Sequence, residues 1–198
     1  MSNSDLLSHH LALALRPFGE KRIETAARLK LNFSVHRRRE QIEFAFTLVG
    51  KMPADLMNLV LPEARAPEFM RRRDEIWQST CLEVFVGRVD RDAYFELNLC
   101  PSGDWNIYAF DKYRSGMRPA DQIEAPLIRI DRELGGDVLA WQGRLRGGGF
   151  RDLLSAPGLV MNATAVMEYR TGAREFWALA HPGEKPDFHL RAGFCLAL

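Results

Sequence analysis

Cysteine is scarce in this chain: Cys81, Cys100 and Cys195 are the only three in 198 residues, widely spaced and without a C-x-x-C pair. That excludes a disulfide framework and a zinc ribbon. Each lies beside or within an apolar run, where a free thiol behaves as a small hydrophobe. A surplus of either charge is missing as well, since 27 Lys and Arg stand against 26 Asp and Glu for a formal net charge of +1. Nucleic-acid binding needs a basic stripe, and so balanced a chain gives no global electrostatic reason for it. The runs Arg37-Arg38-Arg39 and Arg71-Arg72-Arg73 fall in expected loops and read as solvated turns. No apolar stretch reaches signal or membrane-spanning length, and Met1-Ser2-Asn3-Ser4-Asp5 carries no positive segment, so a cytoplasmic protein without a membrane partner is expected.

The familiar catalytic signatures are also lacking. There is no G-x-S-x-G elbow, no P-loop, no G-x-G-x-x-G after a strand and no H-E-x-x-H. Gly147-Gly148-Gly149 lacks the lysine and the following helix of a phosphate cradle. The five histidines and seven methionines nominate no axial pair for haem. His181, Asp187 and His189 match no recognised metal spacing and read instead as anchors of the last loop through local hydrogen bonds. No catalytic residue, cofactor or metal is therefore assigned. No long amphipathic helix, internal repeat or low-complexity tract is visible.

What the chain has is alternation. Hydrophobic residues make up 46% of it, enough to build a core without staples, and the length fits one domain spanning 1–198. Over 29–35, Leu29, Leu31, Phe33 and Val35 alternate with polar residues, and Ile42, Phe44, Phe46 and Leu48 resume the pattern after a polar cluster. Period two of this kind marks a half-buried hairpin. Residues 11–15 offer an earlier strand ended by Arg16-Pro17. Residues 50–79, with Pro53, Pro62 and Pro67, read as a long crossover holding at most one helical turn. Three strands around 81–86, 94–99 and 105–110, joined by short turns, form an antiparallel meander. Further strands follow at 127–130, 138–141, 159–169 and 175–180, flanking turns at Gly135-Gly136 and Thr171-Gly172. The spacing predicts an all-β fold, a two-sheet antiparallel sandwich of about ten strands in the jelly-roll style with only short helical turns.

The meander assembles a polar face. A turn centred between Val89 and Asp90 sets Glu83 opposite Glu96 and Cys81 opposite Asn98. A second turn centred on Ser102 sets Asn98 opposite Asn106 and Glu96 opposite Tyr108. One face then carries Glu83, Glu96, Asn98, Asn106 and Tyr108, while Leu82, Val84, Phe95, Leu97, Leu99 and Ile107 face the core. Directly opposed carboxylates destabilise a sheet unless an arginine, a shared proton, a metal or a ligand's hydroxyls offset them. Arg114, Arg118 and Arg174 are candidate partners. The plain alternative is a solvated face on which the glutamates pair with neighbouring basic residues. Trp105 and Trp141 read as core.

The run 77–85 (W-Q-S-T-C-L-E-V-F), the run 94–105 (Y-F-E-L-N-L-C-P-S-G-D-W) and the later Phe176-Trp177-Ala178-Leu179 with His181-Pro182 and Lys185-Pro186-Asp187-Phe188-His189 resemble a bacterial subgroup of the DOMON-like, family 9 carbohydrate-binding-module-like β-sandwich domains. The resemblance covers roughly residues 10 to 195. It implies a sugar clamped between two tryptophans, with an acidic residue and amides bonding the hydroxyls. Trp77 then matches the first tryptophan, Glu83 the acidic group, and Trp177 the second wall. The physics suits such a use, because a flat indole covers the C–H face of a pyranose while carboxylates accept bonds from adjacent hydroxyls. The expected function is non-catalytic recognition of a carbohydrate or similar small polar ligand by Trp77, Glu83, Glu96, Asn98, Tyr108 and Trp177. Two alternatives stand beside it. One is an interaction module that uses a sheet edge or aromatic patch to form a homo-oligomer or bind a partner. The other is a glycosidase-like enzyme using Glu83 and Glu96, since opposed strand carboxylates approach the roughly 5–5.5 Å separation of retaining enzymes.

Overall fold

The computed structural model describes residues 9–19, 28–38, 41–132, 136–146, 153–154 and 157–198. The start of the chain, Arg39, Gly135 and the Gly147-Gly148-Gly149 loop lie outside the described residues. Among the described residues the strands are β1 (His9–Pro17), β2 (Lys30–Arg38), β3 (Gln41–Val49), β4 (Cys81–Arg88), β5 (Tyr94–Leu99), β6 (Trp105–Phe110), β7 (Arg118–Pro119), β8 (Leu127–Arg132), β9 (Val138–Arg146), β10 (Leu159–Glu168), β11 (Arg174–Ala178) and β12 (Leu196–Ala197). Among the described residues helix is limited to α1 (Pro53–Met57), residues 153–154 and a few single 3-10 turns.

All strand pairs are antiparallel, and they run in one continuous path β7-β6-β5-β4-β10-β11-β1-β2-β3-β9-β8, with β12 beside β10. The sheet is curled, so both ends of the path contribute to one hydrophobic core. The sequence predicts two sheets; the strands instead form one, in which β1 bridges β2 and β11. Its first seven residues pair with β2, from His9 opposite Arg37 to Leu15 opposite Leu31, and its last two pair with β11. Pro17 ends the strand because it has no N–H to continue the ladder.

The β2–β3 hairpin forms as the alternation predicts, with Phe33 opposite Phe46 and buried and half-buried residues alternating strictly along β3. The inward aromatics Phe33, Phe44 and Phe46 pack on one another, with Phe33 and Phe46 ring centres 4.9 Å apart. Gly143 in β9 sits opposite Phe44, and a Cβ there would collide with the Phe44 ring. Only glycine allows that close approach.

The meander forms too, with one adjustment. β5 and β6 pair in the expected register, Glu96 opposite Tyr108 and Asn98 opposite Asn106. Between β4 and β5 the register differs by two residues: Glu83 stands opposite Asn98, and Glu96 opposite Phe85. The turn is centred one residue later than expected, and at its start Arg88 grips Asp90 through Nε and Nη2 at 2.9 and 2.8 Å. A two-residue shift keeps every side chain on its predicted face. It also separates the two acids from direct opposition, which like charges disfavour.

Candidate functional site

β4, β5 and β6 are buried almost throughout, on both faces. One face joins the main core through Leu82, Val84, Leu97, Leu99 and Ile107. The other is not solvated. A second aromatic cluster including Phe85, Tyr94, Tyr108, Phe110 and Phe188 covers it, carried partly by segments outside the strands. Glu83 is 4% exposed and Glu96 5%, so the solvated-face reading does not hold.

A cavity of about 530 Å³ opens over these two acids. Glu83 on β4, Glu96 on β5 and Val166 on β10 come from the sheet. Trp77, Phe110, Phe176 and Phe188 supply aromatic walls, His189 a further ring, and the exposed Arg114 and Arg174 stand at the rim. Of the predicted site residues, Trp77, Glu83 and Glu96 line this space. Asn98 and Tyr108 lie behind it, and Trp177 is elsewhere.

Trp177 is 2% exposed and belongs to the main core, with its Nε1 donating to Glu175 Oε2 at 3.1 Å. This corrects the expected second wall. Neighbours along a strand point to opposite faces, so Phe176, one residue earlier on β11, reaches the cavity in its place. Trp105 and Trp141 are in the core as read from the sequence.

Trp77 is held from behind. It sits on a 3-10 turn that follows Glu75 at φ 59, and its ring meets Tyr108 edge-on at 5.3 Å. The Tyr108 hydroxyl donates to Asp74 Oδ1 at 2.8 Å, and Asn106 Nδ2 donates to the same oxygen at 2.8 Å. Burial, reinforced by the Asp74 carboxylate, pushes the Tyr108 hydroxyl above its ordinary pKa, so it stays a donor. Tyr108 and Asn106 thus fix the turn that presents Trp77.

The acids are held by neutral groups. Thr164 Oγ1 donates to Glu83 Oε2 at 3.0 Å, and Asn98 Nδ2 donates to Glu96 Oε1 at 2.7 Å. The Cys81 thiol donates to Asn98 Oδ1 at 3.5 Å, which orients the amide so that its nitrogen faces Glu96. Burial raises the Glu83 carboxyl well above the usual range, and the nearby Glu96 raises it further. Burial also lifts Glu96, to about 7, against the opposing pull of Asn98 and Arg114. Diagonal neighbours across an antiparallel pair have backbones roughly 7–8 Å apart, so the retaining-glycosidase reading loses the direct opposition on which it rested.

The covering segment is tied down by Asp187. Its Oδ1 accepts from Arg114 Nη2 at 2.9 Å and from the His189 backbone N–H at 3.1 Å, and its Oδ2 from the Tyr113 hydroxyl at 2.6 Å. Tyr94 Oη accepts the Arg114 backbone N–H at 3.3 Å and lies 2.8 Å from His189 Nδ1. The direction of that bond follows the His189 tautomer, and the other ring nitrogen, Nε2, lies 3.8 Å from Glu96 Oε2. Burial, with Arg114 adding to it, lowers His189 to about 4, so the ring is neutral near pH 7. His181 is separate, bonded through Nε2 to the Arg16 carbonyl at 2.8 Å. The His189–Asp187 bond is the local anchor expected of the last loop, whereas His181 and the His189 ring bond distant residues instead. The cavity residues that the sequence does not assign include His189, Phe110, Phe176 and Phe188, and it offers Arg114 and Arg174 only as partners for the acids.

No family model matches the chain, and no curated protein matches it. Solved structures do. A Bacteroides uniformis protein described as a candidate carbohydrate-binding protein superposes with a TM-score of 0.55 at 13% identity, over 91% of this chain and 84% of its own. A family 9 carbohydrate-binding module from Caldicellulosiruptor kristjanssonii, solved with glucose, gives a TM-score of 0.44 at 10% identity over 85% and 73% of the two chains. The same module with cellotriose gives 0.44 at 11% identity over 85% and 72%. At the identity of the first of these, the likeness is one of fold.

Proposed function

We propose that this protein is a non-catalytic binding module for a carbohydrate or a similar small polar ligand, held in the cavity over Glu83 and Glu96. We further read the curled sheet as the two leaves of a DOMON-like sandwich linked by β1. One observation carries the functional reading: two buried carboxylates, each with a single neutral hydrogen-bond donor, open into an aromatic-walled space large enough for a sugar ring. Ligand sites are typically concave, largely apolar and furnished with a few convergent polar groups, and roughly 300–1,000 Å³ is their usual size. Trp77, Phe176 and Phe188 can cover C–H faces of a ring, while the acids accept its hydroxyls. The name of the Bacteroides uniformis neighbour accords with this reading.

The test is calorimetric titration of the purified chain with mono- and oligosaccharides. A saturable heat is expected with at least one sugar, with affinity weakened in Glu83→Gln and in Trp77→Ala while both variants retain a cooperative melt. Affinity unchanged by both substitutions would move the site elsewhere. Turnover of aryl glycosides that vanishes in Glu83→Gln would replace the binding module by an enzyme.

A further inference from the structure

Glu83 and Glu96 lie at the bottom of the cavity, and the cation that acts on them, Arg114, does so through space rather than through a bond. Both are at least nineteen-twentieths buried. Each accepts one bond, from a hydroxyl and from an amide, and among the described residues no arginine or lysine bonds either of them. The second oxygen of Glu83 has no hydrogen-bond donor among the described residues, and that of Glu96 faces His189 Nε2 only at 3.8 Å. The arginines that share the cavity are committed elsewhere. Arg114 bonds Asp187 at 2.9 Å and Arg174 lies 3.6 Å from Glu168, and both side chains are about half exposed at the rim. The rim charges are thus paired with one another, while the floor keeps two carboxyls with no bonded cation among the described residues.

The rings above the floor work in the same direction. Trp77, Phe110, Phe176 and Phe188 all line the space, and the face of an aromatic ring attracts cations. A sugar hydroxyl offers one proton to a carboxylate and leaves its charge uncompensated. An ammonium group offers three N–H donors together with the opposite charge.

We propose that the ligand of this cavity carries a protonated amine seated between Glu83 and Glu96 against the aromatic walls; resting on the carbohydrate reading above, the ligand is an amino sugar. The remaining titratable groups that face the site are His189, the rim arginines and, behind them, Tyr94, Asp187 and Glu168. The amine displaces protons held by the acids, so binding releases protons to the buffer.

The experiment is titration of the full chain with glucose and with 2-amino-, 3-amino- and 6-amino-deoxyglucose, in two buffers of different ionisation enthalpy. At least one amino sugar should bind about tenfold or more tightly than glucose, a gain typical of replacing a neutral by a charge-assisted bond. Its apparent heat should change between the buffers by the enthalpy of the released protons. N-acetylation of that amine should abolish the preference. Glu83→Gln, which keeps an acceptor for Thr164, should bring the amino-sugar to glucose ratio near one; Glu96→Gln serves the same purpose should Glu83→Gln fail to fold. A loss of fold would not alter that ratio selectively. Glucose bound as tightly as all three amino sugars overturns the amine inference and leaves the carbohydrate reading standing. Failure of all four to bind overturns both.

Discussion

The two halves of the curled sheet start from the same period-two sequence pattern and end in different environments. In β3 the outward residues are only half covered, and the strand reads as water on one side and core on the other. In β4, β5 and β6 the outward residues Glu83, Glu96, Asn98 and Asn106 are buried as deeply as the core residues that alternate with them. The difference lies in what is laid over the sheet. The turn bearing Trp77, the segment around Arg114 and the segment from Pro186 to His189 cover the meander. Burying a carboxylate without a cation is expensive. The other half of the sheet manages without doing so, and fold alone therefore does not explain the cost. What separates the two halves is the covered polar face, not the alternation.

Substitutions in the two halves should move stability in opposite directions. The largest effect is expected on the inward face of β3, where Phe46 is fully buried against Phe33 and Phe44. Phe46→Ala should cost about 3–5 kcal/mol, from lost transfer energy and the cavity left behind, measured by urea unfolding. A cost below about 1 kcal/mol would mean that this half is loosely packed. On the outward face of β5, Glu96→Gln should stabilise the ligand-free protein by roughly 2 kcal/mol near pH 8, because each unit of raised pKa corresponds to about 1.4 kcal/mol spent on ionising the site. Glu83→Gln should act in the same direction. Destabilisation by both would mark the acids as structural and break the contrast between the leaves.

Much of this was readable in the chain, and the failures have physical causes. Pro101-Ser102-Gly103 is a sharp turn signal, and the β5–β6 register it implies is the one observed. The loop after Arg88 has no such signature, and there the register moved by two residues while every face survived. Trp177 was misplaced because apolar residues occupy both faces of β11. With Phe176 and Trp177 adjacent, alternation has no polar partner to say which one points inward. The covering segment was invisible for another reason. His189 reaches Tyr94 and Arg114 reaches Asp187 across long stretches of irregular chain, for which no periodicity exists. Asn98 and Tyr108 were placed on the correct face; that they stand one layer behind Glu96 and Trp77 is a matter of depth, which spacing does not encode.

The pH dependence of stability sharpens the contrast further. Folded Glu96 titrates near 7 against an ordinary 4.5, so between those values the folded state keeps a proton that the unfolded chain has lost. Its contribution is full below about 4.5 and falls as pH rises to about 7. Folded His189 titrates near 4 against 6.5, so there the unfolded chain takes up a proton that the folded state refuses. Its contribution is full above about 6.5 and is lost as pH drops toward 4. Glu83, raised in the same direction as Glu96, adds a second falling slope from about 4.5 upward. The His189 slope opposes both between about 4.5 and 6.5 and cancels only one, so the wild-type profile should fall gently there and more steeply above it. His189→Asn removes the compensating limb, so stability should fall more steeply already from about 4.5. Parallel urea-midpoint profiles for variant and wild type would show that His189 does not titrate with folding.

The smallest expected change in stability is also the most direct reading of the site. Trp105, Trp141 and Trp177 are 8%, 0% and 2% exposed and belong to the core, whereas Trp77 is half-buried on the cavity. A ligand that enters the cavity can perturb the emission of Trp77 without reaching the other three. Trp77→Phe keeps an aromatic ring against Tyr108 and should cost less than about 1 kcal/mol, since no deep core contact is removed. It should nevertheless abolish the fluorescence change seen on adding a bound sugar and weaken that sugar several-fold, because a phenyl ring covers less of a pyranose than an indole does. Emission changes that persist in the variant would have to come from the buried tryptophans. They would then mean that the core leaf responds to ligand along with the covered one, and the division between the two halves of the sheet would not survive.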